Sequence, residues 1–253
     1  MEEKPPRGVL VNFDPVAEIY DDTREKLSPG ELGALTNELQ GSSTLEIAVG
    51  TGRLAKPLQD LGIDLTGIDV SSRMLSRAKA KGTASLARGE VTHLPFKDQA
   101  FDNVLAVHFL HLVPDWPGLL AEVTRVARHG LVSIDTRTTS KARRPREIYM
   151  EKLAKRGLPA PIRLQGELLL AEKVRPHKMK LIEKTAETGN VGKMLDMLEK
   201  KWLAVTWMVP ERLHREVMDE LRRELVEKTV DYTYENFLLV WRVDDLSEKI
   251  EYL

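Results

Sequence analysis

Residues 44–58 read TLEIAVGTGRLAKPL, an apolar strand pattern that passes through two glycines into a helical pattern. Gly50-Thr51-Gly52-Arg53-Leu54-Ala55 satisfies G-x-G-x-x-G/A, the turn at which a parallel strand hands an adenosine-bearing ligand to a helix N-terminus. Asp69 ends the next apolar run, 19 residues beyond Gly50, about where an acid that accepts ribose hydroxyls belongs. The stretch predicts a strand–turn–helix unit around such a ligand. By itself it does not choose between a nicotinamide dinucleotide and another adenosine derivative.

The same alternation repeats along the chain. STLEIAV (43–49) and IDLTGIDV (63–70) read as strands around a helix over 53–61, and Ser71 caps a helix running to about Lys81. TASLARG (83–89) is a third strand, and FDNVLAVHF (101–109) is a fourth, apolar enough for burial on both faces. Asp115 caps a helix with Pro117 in its first turn and Leu119, Leu120, Val123 and Val126 on its inner face. Gly130 is expected to end that helix before a fifth strand, LVSIDT (131–136). Alternating strands and helices imply parallel pairing, hence an α/β fold with a doubly wound, seven-stranded, mostly parallel sheet.

The flanks read differently. Residues 14–40 are helical in pattern, with a break at Ser28-Pro29-Gly30. Residues 137–163 hold nine Lys or Arg and two Glu, with Pro145 opening a short helix that Gly157 ends. A strand at about 179–186 follows, then a helix over 191–201 with Val191, Met194, Leu195 and Leu198 on one face. Pro210 starts a helix with the stripe Leu213, Val217, Leu221 and Leu225, and YTYENFLLVWRV (232–243) is the closing strand. The expected organisation is one domain: a helical cover over 1–41, a ligand-binding core over 42–136, a helical insertion over 137–178, and closing elements over 179–253.

The 253 residues are 42% hydrophobic and 30% charged, with a formal net charge of −1. That length buries a full α/β core, and the balanced charge argues against a general nucleic-acid or membrane-surface binder. No cysteine is present, which excludes disulfides, thiol nucleophiles and Cys-based zinc sites. The six histidines show no metal-ligand spacing, so no metal is expected. MEEKPPRG (1–8) has no apolar segment, so a secretory leader is not expected and a cytoplasmic setting is.

Three features bear on the ligand. Glu46 sits four residues before Gly50, where a carboxylate suits a positively charged ligand and repels a pyrophosphate. The glycine turn follows about forty residues of helical preamble. ARGEVTHLPFKDQAFDNVLAV (87–107) then adds Glu90 after the third strand, Leu94-Pro95-Phe96, and Phe101-Asp102. Glu46-x-Ala48-x-Gly50-x-Gly52, Asp69, Gly89-Glu90, LPF-x-D-x-x-FD and HFLHLVPDW (108–116) together resemble the class I S-adenosylmethionine-dependent methyltransferases. The resemblance is to the small-molecule group that includes the ubiquinone- and menaquinone-pathway enzymes. It covers about 13–136, with looser likeness through LAVTWMVPE (203–211) and the final strand. Ala48 replaces the pattern's first glycine, and Glu90 replaces its usual aspartate.

The resemblance implies S-adenosylmethionine as methyl donor, S-adenosylhomocysteine as product, and a set of site residues. Ala48, Gly50, Thr51 and Gly52 would form the loop beside the methionine portion, with Glu46 beneath it and amides at the start of the 53–61 helix facing its carboxylate. Asp69 and Val70 would hold the ribose end, Asp69 by accepting both hydroxyls. Gly89, Glu90 and Val91 would meet the adenine, Met74 and Leu94 would sandwich it, and Val107 would line the pocket. FDPVAEIYDDTR (13–24) would fold over the donor, with Tyr20 and Arg24 near its methionine end. His111 is the candidate catalytic residue, and His108 and Trp207 are candidates for substrate binding.

Methyl transfer from a sulfonium needs alignment and water exclusion, and a base only where the acceptor is neutral. The expected acceptor is a small molecule beneath a cover from the helix near 145–156 and from 202–210. In that helix Ile148, Tyr149 and Leu153 face inward, while Arg144, Arg146, Lys152 and Lys155 stay solvated. Three rivals stand beside this reading. In one, an RNA methyltransferase uses the basic run as a phosphate track. In another, a nicotinamide-dependent reductase is at work, for which no Tyr-x-x-x-Lys set is found. In the third, the chain is a non-catalytic partner that only binds the donor.

Overall fold

The computed structural model describes residues 13–24, 26–39, 41–158, 166–250 and 253. Within the 14–40 preamble, two 3-10 turns, Asp14–Val16 and Asp21–Thr23, precede a single α-helix, α1 (Pro29–Leu39). The break at Ser28-Pro29-Gly30 is the start of α1. The Ser28 amide donates to Glu31 Oε2 (2.7 Å), and the Glu31 amide donates to Ser28 Oγ (3.2 Å), a reciprocal cap.

The alternating core follows as β1 (Ser43–Ile47), α2 (Ala55–Asp60), β2 (Asp64–Asp69), α3 (Ser72–Ala80), β3 (Leu86–Arg88) and β4 (Phe101–Val107). Then come α4 (Trp116–Val126), β5 (Ala127–Ser140), α5 (Pro145–Lys155), α6 (Glu167–Lys173), β6 (Lys178–Asn190), α7 (Val191–Glu199), α8 (Glu211–Glu224), β7 (Thr229–Arg242) and α9 (Val243–Ser247). The seven strands form one sheet in the order β3-β2-β1-β4-β5-β7-β6. The pairs β1–β2, β1–β4, β2–β3 and β4–β5 are parallel. The order reverses between β1 and β4, so ligands are expected at the C-terminal ends of these strands.

Sequence signals and structure differ at three points. Gly130 does not end α4, which gives way directly to β5 at Ala127. Gly130 instead lies inside β5, where a Cβ would stand 1.8 Å from the Trp241 carbonyl oxygen; only a glycine admits that approach. On α8 the buried stripe is His214, Val217, Met218 and Leu221, with Leu213 and Leu225 only half-buried. The short helix α6 carries no signal strong enough to be read from sequence.

The chain divides into two compact units. The first comprises 1–136, 165–183 and 236–253, and the second 137–164 and 184–235. Residues 165–178, grouped in sequence with the basic insertion, thus belong to the first unit. Its core gathers Leu35 and Leu39 of α1, Ala55 and Leu58 of α2, Leu65, Leu105, Val132, Ile134 and Leu238. Each of these leucines contributes about 1.5–3 kcal/mol by leaving water. In the second unit α5, α7 and α8 pack on one another. Tyr149 and Leu153 of α5 are buried there, and the Tyr149 hydroxyl lies 2.7 Å from His214 Nδ1. Among the described residues no helix is long and apolar enough to cross a membrane.

Candidate functional site

The C-terminal end of β1 turns sharply. Ala48 has φ +55° and Gly50 φ +56°, both left-handed. The Val49 amide donates to the Ile68 carbonyl (3.0 Å), so β2 holds the turn in place. A Cβ on Gly50 would meet only the Ala48 carbonyl at 3.9 Å, leaving that side open to a ligand. Gly52 (φ +71°) differs, because a Cβ there would lie 2.3 Å from Thr83 Oγ1 and 3.1 Å from the Ala78 Cβ. Its glycine serves close packing of the turn on α3, not the approach of a ligand at its Cα.

Two buried acids face this turn. Asp69, at the end of β2, accepts from the Gly50 amide with Oδ2 (2.9 Å) and from the Ser71 amide with Oδ1 (2.8 Å). The cap of α3 is Ser71 itself, whose Oγ accepts from the Met74 amide. Burial raises the Asp69 pKa, the backbone donors at Ser71 and Gly50 oppose this, and nearby Asp14 adds to the rise. Glu46 is buried in β1, and its Oε2 has no hydrogen-bond partner. Burial pushes its carboxyl well above the usual range, Arg53 pulls it down, and Asp69 pushes it further up. An orphaned buried carboxyl oxygen beside a glycine turn fits a cationic ligand group, and a second acid at the β2 end fits a diol. The residues fit S-adenosylmethionine.

The segment 13–24 is tied to the same place. Thr51 Oγ1 donates to Asp21 Oδ1 (2.6 Å), Lys81 donates to Thr51 Oγ1 (3.0 Å), and Lys81 pairs with Asp21. Ser71 Oγ donates to Asp14. Burial opposes ionisation of Asp21, but Lys81 and Thr51 outweigh it and hold its pKa below the usual value. Tyr20 lies in this segment, with Phe13 edge-on at 5.9 Å and the Arg24 guanidinium over its ring at 4.9 Å.

The remaining expected residues are placed as follows. Met74, Val91 and Leu94 are buried, while Val70, Gly89, Glu90 and Val107 are half-buried. Gly89 donates to the Asp69 carbonyl (3.1 Å), and a Cβ on it would strike Ile68 and Pro95. Glu90 is bridged to His93 in a tight turn. His111 is half-buried in the 3-10 turn Leu110–Leu112. Trp207 belongs to the second unit, and its indole N–H donates to the Lys201 carbonyl (2.6 Å).

Sequence reasoning named His108 but missed the two acids that join it behind β4 and β5, Asp135 and Glu167. His108 follows β4 in a left-handed conformation (φ +52°), with Nδ1 3.6 Å from Asp135 Oδ1. Asp135 Oδ2 accepts from the Leu168 amide (2.9 Å), and Glu167 Oε1 accepts from the amides of Phe109 (2.7 Å) and Leu110 (3.2 Å). Burial would lower the His108 pKa, but Asp135 and Glu167 raise it. Among the described residues no group of three or more His, Asp or Glu has metal-holding geometry. Asp21 and Asp14 were also missed, though Tyr20-Asp21-Asp22 and Asp14-Pro15 stood in the segment already suspected.

A methyltransferase-domain family matches residues 45–134. Demethylmenaquinone methyltransferase of Renibacterium salmoninarum is 30% identical over 203 residues, covering 74% of this chain and 85% of that one. Phosphatidylethanolamine N-methyltransferase of Cereibacter sphaeroides is 35% identical over 121 residues, 44% of this chain and 59% of that one. Among solved structures, an Anabaena variabilis protein assigned as a methyltransferase of an antibiotic biosynthesis pathway superposes with a TM-score of 0.56. It is 16% identical and covers 84% of this chain and 98% of its own, a likeness of fold. The motif order, the sheet, the paired acids at the glycine turn and these relatives lead to one conclusion: the chain belongs to the class I S-adenosylmethionine-dependent methyltransferases.

Proposed function

We propose that this methyltransferase acts on a small organic acceptor, with Glu46, Gly50, Thr51, Asp69 and the Glu90 turn holding the donor. When bound, the donor supplies a methyl on a sulfonium whose thioether is already a good leaving group. What falls to the chain is binding and alignment. Asp69 would accept the ribose hydroxyls with the lone pairs its two backbone donors leave over. Glu46 would sit near the donor's positive charge, which in turn lowers the cost of a buried carboxylate. Segment 13–24, pinned through Asp21 and Asp14, would exclude water.

The observation that favours a small acceptor over RNA is the state of the basic run. Lys152 pairs with Glu220 and Glu224, and Arg156 pairs with Glu220. Arg143 and Lys155 share Glu151, and Arg144 pairs with Glu147. Cations already neutralised release few counterions from a phosphate backbone, so they add little to nucleic-acid affinity. The names of the two relatives, which concern demethylmenaquinone and phosphatidylethanolamine, also favour small organic acceptors. Incubating the protein with methyl-labelled S-adenosylmethionine and cell extract tests the proposal. Label in the low-molecular-weight and lipid fractions is expected, and label confined to RNA would overturn it.

A further inference from the structure

The His108 cluster lies outside the donor-holding residues yet beside them. Arg53, which follows the glycine turn, acts electrostatically on both Glu46 and His108. The His108 side chain is 37% exposed, whereas Asp135 behind it is 8% exposed and Glu167 is fully buried. The imidazole is reachable, and its Nδ1 stands 3.6 Å from a buried carboxylate, beyond hydrogen-bond length. Asp135 therefore acts on the ring electrostatically and favours a proton on Nδ1, which leaves Nε2 to take the acceptor's proton. The backbone around it is held from α6. Glu167 takes the Phe109 and Leu110 amides, and Gly166 packs so closely that a Cβ would stand 2.3 Å from the His111 nitrogen. The left-handed His108 backbone is a conformation that persists only when neighbours impose it.

We propose that His108, oriented by Asp135, accepts the acceptor's proton, so that the substrates of this enzyme are neutral nucleophiles: alcohols, phenols, carbon acids or amines. The proposal rests on the methyltransferase reading and deepens it. The acceptor's nucleophilic atom forms a bond to the methyl carbon, the sulfur–carbon bond breaks with its electrons left on sulfur, and the acceptor's proton passes to His108 Nε2. Asp135 and Glu167 share the cluster's negative charge unequally. Burial works against ionisation of both, but Asp135 has His108 and the Leu168 amide and falls below the usual carboxylate range. Glu167 is pushed up by burial and then by Asp135. The charge therefore rests on the acid that faces the imidazole. Glu167 is a positioning residue acting through the Phe109–Leu110 backbone. The groups facing His108 are thus Asp135, Glu167 and Arg53.

The test reads protons rather than turnover. Binding of S-adenosylmethionine is measured by calorimetry near pH 7 in two buffers of different ionisation heat, then repeated with S-adenosylhomocysteine, which lacks the sulfonium charge. A positive sulfonium beside His108 lowers its pKa, so the cationic ligand should release protons and the neutral one fewer. Because Glu46 would also give up a proton to the sulfonium's charge, the comparison is made in Glu46→Gln. There, adding His108→Gln should abolish the difference while both ligands still bind, and adding His111→Asn should retain it. In the wild type, the His108 ring resonance should titrate above an ordinary histidine and fall back in Asp135→Asn. In the Glu46→Gln background, proton release that is equal for the two ligands, or that survives His108→Gln, would overturn the proposal, as would a His108 titration indifferent to Asp135→Asn. Absence of binding by both ligands would instead remove the methyltransferase reading, and the proposal with it.

Discussion

Asp69 Oδ2 lies 2.9 Å from the Gly50 amide nitrogen, so the acid at the end of β2 braces the turn at the end of β1. The same carboxylate takes the Ser71 amide. Removing it leaves two backbone donors without an acceptor, and also removes the partner proposed for the donor's ribose. Asp69→Ala should therefore lose roughly 2–3 kcal/mol of S-adenosylmethionine affinity and about 1–3 kcal/mol of stability. Asp69→Asn, which keeps one acceptor oxygen, should lose less of each. Calorimetric titration and chemical denaturation of both variants check this; unchanged affinity in Asp69→Ala would mean that the acid serves the turn alone.

The two glycines of the turn should respond oppositely. Gly52→Ala places a Cβ against Thr83 and Ala78 at φ +71° and should cost roughly 2–4 kcal/mol of stability. Gly50→Ala meets open space, so its strain should stay near 1–2 kcal/mol while donor affinity falls by tenfold or more. Thermal melts with and without S-adenosylhomocysteine separate the two effects. Equal destabilisation by both would contradict the division of labour.

Ala48 occupies a left-handed position (φ +55°) that a glycine adopts without strain. Ala48→Gly trades about 1–2 kcal/mol of relieved strain against about 0.5–1 kcal/mol of extra chain entropy in the unfolded state. The variant should match or exceed the wild type in denaturant midpoint. A clear loss of stability would show that the alanine methyl makes contacts outweighing its strain.

Glu46→Gln separates electrostatics from shape. Burial raises the folded-state pKa of this carboxyl, so its contribution to stability weakens as pH rises from the unfolded value through the folded one. The glutamine variant, which has no proton to lose, should gain about 1–2 kcal/mol over the wild type at pH 8 and little at pH 5. It should also bind S-adenosylmethionine several-fold more weakly while its affinity for the uncharged product changes little. Parallel losses for both ligands would rule out a charge-sensing role.

Asp21 behaves in the opposite sense. Its pKa is lowered in the folded protein, so its contribution is present above the unfolded carboxylate value and disappears as pH falls through the folded one. Asp21→Asn should cost about 1 kcal/mol at pH 7, and the gap to wild type should close as melts are taken down toward pH 3. A gap indifferent to pH would indicate packing, not the Lys81 and Thr51 interactions, as the source.

Much of this architecture is written locally. Strand β1, the glycine turn, Asp69, the Ser71 and Asp115 caps and the buried α4 face follow from periodicity and side-chain chemistry within a few residues. Gly130 was misread because its signal is ambiguous: a glycine after a helix pattern is an ordinary stop, and only the Trp241 carbonyl, 111 residues on, gives it another reason.

Neighbours in the chain suffice for the strand–helix order, the glycine turn and the family these imply. Contacts between distant segments make the joining of His108 to Asp135 and Glu167, the bracing of Gly50 by Asp69, and the packing that crowds Gly52 but leaves Gly50 open. Glu167 lies 58 residues from the Phe109 amide it accepts from, with β5 and α5 between them. Buried backbone donors demand an acceptor, yet nothing in a local pattern says which distant carboxylate will supply it. Only the closing of the sheet brings β4, β5 and α6 together.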